Sequence, residues 1–191
     1  MRAALVVLDG WGLGDHDRRD AVKAADTPVV DGLVEAGASG TLAVAGRRVG
    51  LPEGQMGNSE VGHTNLGAGR VVRQAYTRID DAVAGWRGDP VPGGAEPEPW
   101  AENDALRAAF DHVAATGGRI HTMGLVGEGG VHADQRHLHA FLELAAERGV
   151  SPAVHAFLDG RGGPPTEGGV SYTHLRAPGS KAQLVRRLLS L

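Results

Sequence analysis

Apolar and polar positions switch between two periods along this chain. Residues 3–8 form a continuous apolar run, Ala-Ala-Leu-Val-Val-Leu, closed by Asp9-Gly10. Its length, its valine and leucine content and its turn ending predict a buried parallel strand. Thr27-Pro28 reads as a helix cap followed by proline at the first helical position. Val29, Val30, Leu33 and Val34 then give an apolar stripe that Gly37 stops. Residues 41–45 read as a short strand and 46–69 as a long loop punctuated by glycine. Val71, Ala75, Ile79 and Val83 recur at near-helical spacing over 70–84. Residues 85–100 concentrate proline and glycine and read as a linker or surface excursion between two lobes.

Beyond that excursion the pattern is more regular. Asn103 caps a helix whose core face is Leu106, Ala109, Phe110 and Val113, ended by Gly117-Gly118. Residues 120–126 form a strand, and 134–148 a helix with Leu138, Phe141, Leu142 and Ala145 inward, ending at Gly149. Residues 153–158 form a further strand closed by Asp159-Gly160. Strands and helices in this alternation predict an α/β fold of parallel-sheet layers with right-handed crossovers. Ligands collect at the carboxyl ends of strands in such sheets, here at Asp9, the 127–132 turn and 159–161.

Composition narrows the function class. Hydrophobic residues make 41% of the 191 positions, beside 30 glycines and 10 prolines, so the chain is globular and rich in tight turns. A net charge of −4 with only three Trp, two Tyr and three Phe argues against a nucleic-acid or membrane-surface module. No cysteine is present, which excludes disulfides, thiolate metal sites and a cysteine nucleophile, and fits a reducing cytoplasm. The first apolar run is too short for a signal segment or a membrane span.

Candidate chemistry is concentrated in a few places. Asp9, at the end of a buried strand, can hold a hard divalent cation or simply cap the amides of its own Gly10–Gly12 turn. Ser59 sits between Asn58 and Glu60 in the glycine-rich stretch. There it is either a metal-activated nucleophile or, with Asn58, the cap of a short helix. Asp134 reads as a helix cap, and His137 and His139, two apart, as solvent-facing side chains rather than a metal pair. Asp15-His16-Asp17 reads as an exposed polar turn.

The stretch Leu51-Pro-Glu-Gly-Gln-Met-Gly-Asn-Ser-Glu-Val-Gly-His63 closely resembles the nucleophile loop of the cofactor-independent phosphoglycerate mutases. Three more segments agree in order and spacing: Leu8-Asp-Gly-Trp-Gly12, Gly129-Gly-Val-His132 and His155-Ala-Phe-Leu-Asp-Gly-Arg161. The resemblance covers roughly 1–165. It implies interconversion of 3-phosphoglycerate and 2-phosphoglycerate through a phosphoserine, a step of glycolysis, with no 2,3-bisphosphoglycerate. It implies Ser59 as nucleophile and metal ligand, Asp9 as a ligand of the same ion, and His132 and Arg161 as substrate-binding residues. Two divalent ions, Mn²⁺ or Mg²⁺, a small-molecule substrate, a monomer and a cytoplasmic location are implied with them.

By the same resemblance, residues 1–75 correspond to the first piece of an alkaline-phosphatase-like metal-binding domain. Residues 76–165 correspond to the first part of an inserted α/β transferase domain. Residues 166–191 follow no family pattern and read as a foreign or frame-shifted tail, with 181–191 as a short amphipathic helix. Gly162 stands where the family has a substrate-contacting aspartate, and Gly127-Glu128 replaces a usual Ser-Asp. Family members run to well over twice this length, and the later metal ligands have no counterpart here. The expectation is therefore a mutase by family whose 191 residues form an inactive fragment. A related metal-dependent phosphatase is the further alternative.

Overall fold

The computed structural model of the chain describes residues 3–16, 18–94, 96–127, 134–157 and 183–184. In chain order the elements are α1 (Ala21–Ala24), α2 (Pro28–Ala36), α3 (Ser59–Ala68), α4 (Ala75–Arg87), α5 (Asp104–Thr116), β1 (His121–Leu125), α6 (Gln135–Glu147), β2 (Ala153–Phe157) and β3 (Gln183–Leu184). The result is a mixed α/β arrangement around one small parallel sheet, in the order β1-β2-β3. His121 lies opposite Ala153 and Leu125 opposite Phe157, while Ala153 and Val154 face Gln183 and Leu184 across the second pair.

The two core clusters among the described residues centre on α5, α6 and the sheet. Phe110 of α5 packs with Leu144 and Ala145 of α6, and Trp86, Trp100, Leu106, Ile120 and Val150 close around them. The Phe110 and Phe141 rings stack with centroids 5.8 Å apart. Leu142 meets Val154, which seats α6 against the sheet. Caps define both helices as the pattern predicts: the Asn103 side chain accepts from the amides of Ala105 and Leu106, and Asp134 from that of Arg136. Among the described residues no helix is long and apolar enough to cross a membrane.

The first 45 residues depart from the pattern. Residues 3–8 and 41–44 make no strand; Leu5 and Val6 are each 77% exposed and Leu42 88%. A strand's stability lies in its ladder and in the faces packed on it, and no described strand runs beside these segments. Only Ala45 forms an isolated antiparallel bridge, with Met56. The 46–69 stretch is also not a loop throughout. Gly46–Val49 is a 3₁₀ turn and 59–68 is the ten-residue helix α3, because Asn58 caps its start and Gly69, at φ +63°, its end. The next helix begins at Ala75 rather than 70 and runs to Arg87. At the other end, residues 183–184 pair as a strand where the apolar spacing suggested a helix.

Candidate active site

The site is assembled where α3 begins. Upstream, the Gly46 amide donates to the Gln55 carbonyl at 2.8 Å, closing 46–55 into a compact turn. Gly57 then passes so close to Val44 that a Cβ there would lie 2.0 Å from the Val44 carbonyl oxygen. Only glycine lets the chain run through this gap. Asn58 follows in extended conformation, and its Oδ1 accepts from the Val61 amide at 3.0 Å. The fold thus uses Asn58 as a helix cap, and the cap delivers Ser59 at the first helical position.

Ser59 Oγ donates to Asp9 Oδ2 at 2.5 Å, joining residues 50 positions apart. Among the described residues this is the hydrogen bond the Asp9 carboxylate accepts; its own Gly10–Gly12 turn is closed by the Trp11 amide on the Leu8 carbonyl, 3.1 Å. His63, one helical turn beyond Ser59, completes the group. Its Nδ1 lies 2.8 Å from the Ser59 carbonyl oxygen and 3.2 Å from Ser59 Oγ. All three side chains are exposed.

A second polar group ties α4 to the start of α6. Tyr76 donates to Asp134 Oδ2 at 2.7 Å, and Arg136 grips the same carboxylate through Nε and Nη2 at 2.9 and 2.7 Å. Burial pushes the Asp134 carboxyl up, but the bonds from Arg136 and Tyr76 outweigh it and hold it down at about 2. Burial and the Asp134 carboxylate push the Tyr76 hydroxyl up to about 12. His137 Nε2 sits 3.0 Å from Asp80 Oδ1, and this bond, against burial, lowers the Asp80 carboxyl. His137 is accordingly half-buried, edge-on to Tyr76, and not the solvent-facing side chain the spacing suggested. The Nε2 of His139 is likewise buried, and no described group bonds it.

A third group fastens α3 to α4. Asp81, 1% exposed, holds Arg47 at 2.6 Å and Arg73 at 2.9 Å. Thr77 Oγ1 and the Gln74 amide both donate to the Gly50 carbonyl. Asn65 of α3 donates to the Val49 carbonyl and accepts from the Val72 amide.

Asp9 and Ser59 are thus brought together, whereas His132, Arg161 and Gly162 lie outside the described residues. Sequence reasoning passes over His63, Tyr76, Asp80 and the Arg47–Asp81–Arg73 group. Opposite charges at Arg47-Arg48 and Asp80-Asp81 are the only signal for the last, and their separation hides it. As a cation site, Asp9 and Ser59 offer hard oxygen donors that suit Mn²⁺ or Mg²⁺ in kind. They do not suffice in number: no described group of three or more His, Asp or Glu side chains converges to hold a metal.

Comparison with known proteins finds relatives for the sequence. A family model described as "BPG-independent PGAM N-terminus" matches residues 95–186. A protein of Halobacterium salinarum named 2,3-bisphosphoglycerate-independent phosphoglycerate mutase is 64% identical over 172 residues, 90% of this chain and 31% of its own length. Proteins of the same name from Haloquadratum walsbyi and Thermomicrobium roseum are 56% and 50% identical over 84% and 90% of this chain, each across 30% of its own length. The chain therefore spans about 30% of the curated relatives it matches. Over nine-tenths of its length this chain is therefore similar to cofactor-independent phosphoglycerate mutases, in the portion of them that it spans.

Proposed function

We propose that this chain carries the nucleophile of a phosphoglycerate mutase, Ser59, and one of its metal ligands, Asp9. The single observation that supports this is the 2.5 Å bond from Ser59 Oγ to Asp9 Oδ2 at the capped start of α3. That bond holds the serine proton on the carboxylate side and turns an Oγ lone pair outward. The first-turn amides of α3 and the helix dipole favour a phosphoryl group at the same place. Ser59 Oγ gives up its proton and attacks the phosphorus of 3-phosphoglycerate, the bond from phosphorus to the C3 oxygen breaks, and that oxygen takes up the released proton. The phosphoserine then returns the phosphoryl group to the C2 hydroxyl, giving 2-phosphoglycerate and free serine. Such a transfer asks the protein mainly for in-line placement and charge neutralisation. A divalent cation bound at Asp9 and Ser59 would supply the second of these by lowering the serine pKa and drawing charge from the phosphoryl oxygens. His132 and Arg161 would hold the glycerate, Arg161 through a bidentate carboxylate or phosphate contact. The protein would work in the cytoplasm as a monomer, in glycolysis.

A second reading concerns these 191 residues by themselves. The exposed large apolar side chains concentrate between Leu5 and Val71, and among the described residues the oxygen donors brought together for a cation number two. Both observations favour a nucleophile-bearing portion that does not turn over alone. A coupled enolase assay with 3-phosphoglycerate and Mn²⁺ decides between them. Turnover above a Ser59→Ala control supports the mutase reading for the chain itself. Formation of Ser59 phosphoserine without turnover supports the portion reading, and absence of both defeats the assignment of Ser59.

A further inference from the structure

We infer that His63 is a positioning residue for Ser59, acting as a hydrogen-bond donor through Nδ1–H and not as a base; this rests on the reading of Ser59 as the nucleophile. Side chains on an α-helix lean back toward its N-terminus, so residue i+4 covers residue i. His63 is four residues after Ser59 on α3, and its ring folds back over the first turn.

The tautomer follows from the partners. A backbone carbonyl can only accept, and the Ser59 carbonyl oxygen lies 2.8 Å from His63 Nδ1. A bare Nδ1 would set two lone pairs against each other, so Nδ1 carries the proton. The same N–H reaches Ser59 Oγ at 3.2 Å as a second acceptor. Ser59 spends its own hydrogen on Asp9 Oδ2, which leaves Oγ lone pairs free to receive it. The order of the chain is therefore His63 Nδ1–H to Ser59 oxygen, and Ser59 O–H to Asp9.

This order differs from a serine-histidine-aspartate triad. There the carboxylate holds the histidine, and the histidine accepts the serine proton. Here the carboxylate holds the serine directly, and the imidazole donates to the serine through Nδ1–H. His63 pins the Oγ rotamer toward Asp9 and offers a hydrogen bond to negative charge gathering on Oγ. Its Nε2 is the bare nitrogen and faces away from this contact.

The test uses the full 191-residue chain. Long-range ¹H–¹⁵N spectra, with His63 assigned by its loss in His63→Gln, read which ring nitrogen is protonated. The expected pattern is Nδ1 protonated and Nε2 bare. A free histidine side chain prefers the proton on Nε2, so an Nε2–H or averaged pattern overturns the inference. The second measurement is phosphoserine formation at Ser59 with 3-phosphoglycerate and Mn²⁺, read by intact mass. His63→Asn keeps an N–H near the Nδ1 position and is expected to stay within about threefold of wild type. His63→Gln and His63→Ala place none there and are expected to fall about tenfold or more at unchanged circular dichroism. Equal rates in all three variants overturn the positioning role. If wild type forms no phosphoserine but His63 is the Nδ1–H tautomer, the nucleophile assignment fails and the hydrogen-bond chain stands. Phosphoserine formed beside an Nε2–H tautomer overturns the hydrogen-bond chain and leaves Ser59 as the nucleophile.

Discussion

Removing the Asp81 carboxylate is expected to loosen the joint that holds the nucleophile helix. Asp81 is 1% exposed, and its two guanidinium partners, Arg47 and Arg73, are 19% and 35% exposed. Breaking a buried ion pair by deleting one member costs about 3–5 kcal/mol when the remaining charge stays buried. Here the stranded charges are arginines that keep some contact with water, so the cost falls somewhat below that range, about 2–4 kcal/mol for Asp81→Ala. In a domain of this size each kcal/mol moves the melting temperature by roughly 2–4 °C, so the midpoint should fall by about 5–15 °C. The two arms are unequal. The Arg47 contact is shorter, 2.6 against 2.9 Å, and more buried, so Arg47→Gln should cost more than Arg73→Gln. Thermal and urea unfolding of the three variants, followed by far-ultraviolet circular dichroism, measures all of this. A loss below about 1 kcal/mol for Asp81→Ala would refute the reasoning, because it would place this pair with surface ion pairs. So would a larger loss at Arg73 than at Arg47.

Two further outcomes follow from other parts of the fold. The Asp134 carboxyl is held down at about 2 in the folded chain against an ordinary value near 4. Its contribution is therefore fully present above pH ~4 and lost as pH falls from there toward 2, a loss that Asp134→Asn should abolish in acid titrations of the unfolding midpoint. At the joint itself, Gly50→Ala should destabilise by more than about 2 kcal/mol in urea titration, since φ is +87° and a Cβ would sit 2.0 Å from the Val72 carbonyl oxygen. An unchanged midpoint would mean that the 50–72 contact is not made in solution.

The second half of the chain is legible because its signals are local. Asn103 and Asp134 announce their helices by the side-chain bonds they make, and Gly117 ends one at φ +67°. Phe110, Leu142 and Val154 lie inward because helix and strand periods put them there. The first half misleads because its signals need partners from elsewhere. An apolar run such as 3–8 specifies that a strand is buried, but not beside what, and no described strand pairs with it. Five glycines between 54 and 69 suggest a loop, yet one asparagine cap outweighs Gly62 and Gly67 inside α3. His137 misleads for a related reason. Its spacing from His139 excludes a shared helical face, but says nothing about Asp80 on another helix.

These two kinds of support meet at the candidate site, and they do so unequally. Ser59 rides on α3, which Asn65 ties to residues 49 and 72 and which the Asp81 group fastens, through its flanking segments, to α4. Asp9 stands at the end of a segment whose apolar side chains lie in water and whose backbone pairs with no described strand. The bond between them is therefore a tie from a fastened group to a loosely supported one. A catalytic pair works only when both members are held to within a fraction of an ångström. Ser59 and His63 share one helix, so their mutual geometry depends on α3 alone and should persist wherever that helix forms. The position of Asp9 depends on the 3–8 segment, so disturbance of that segment would move the carboxylate first, and the serine–histidine contact last.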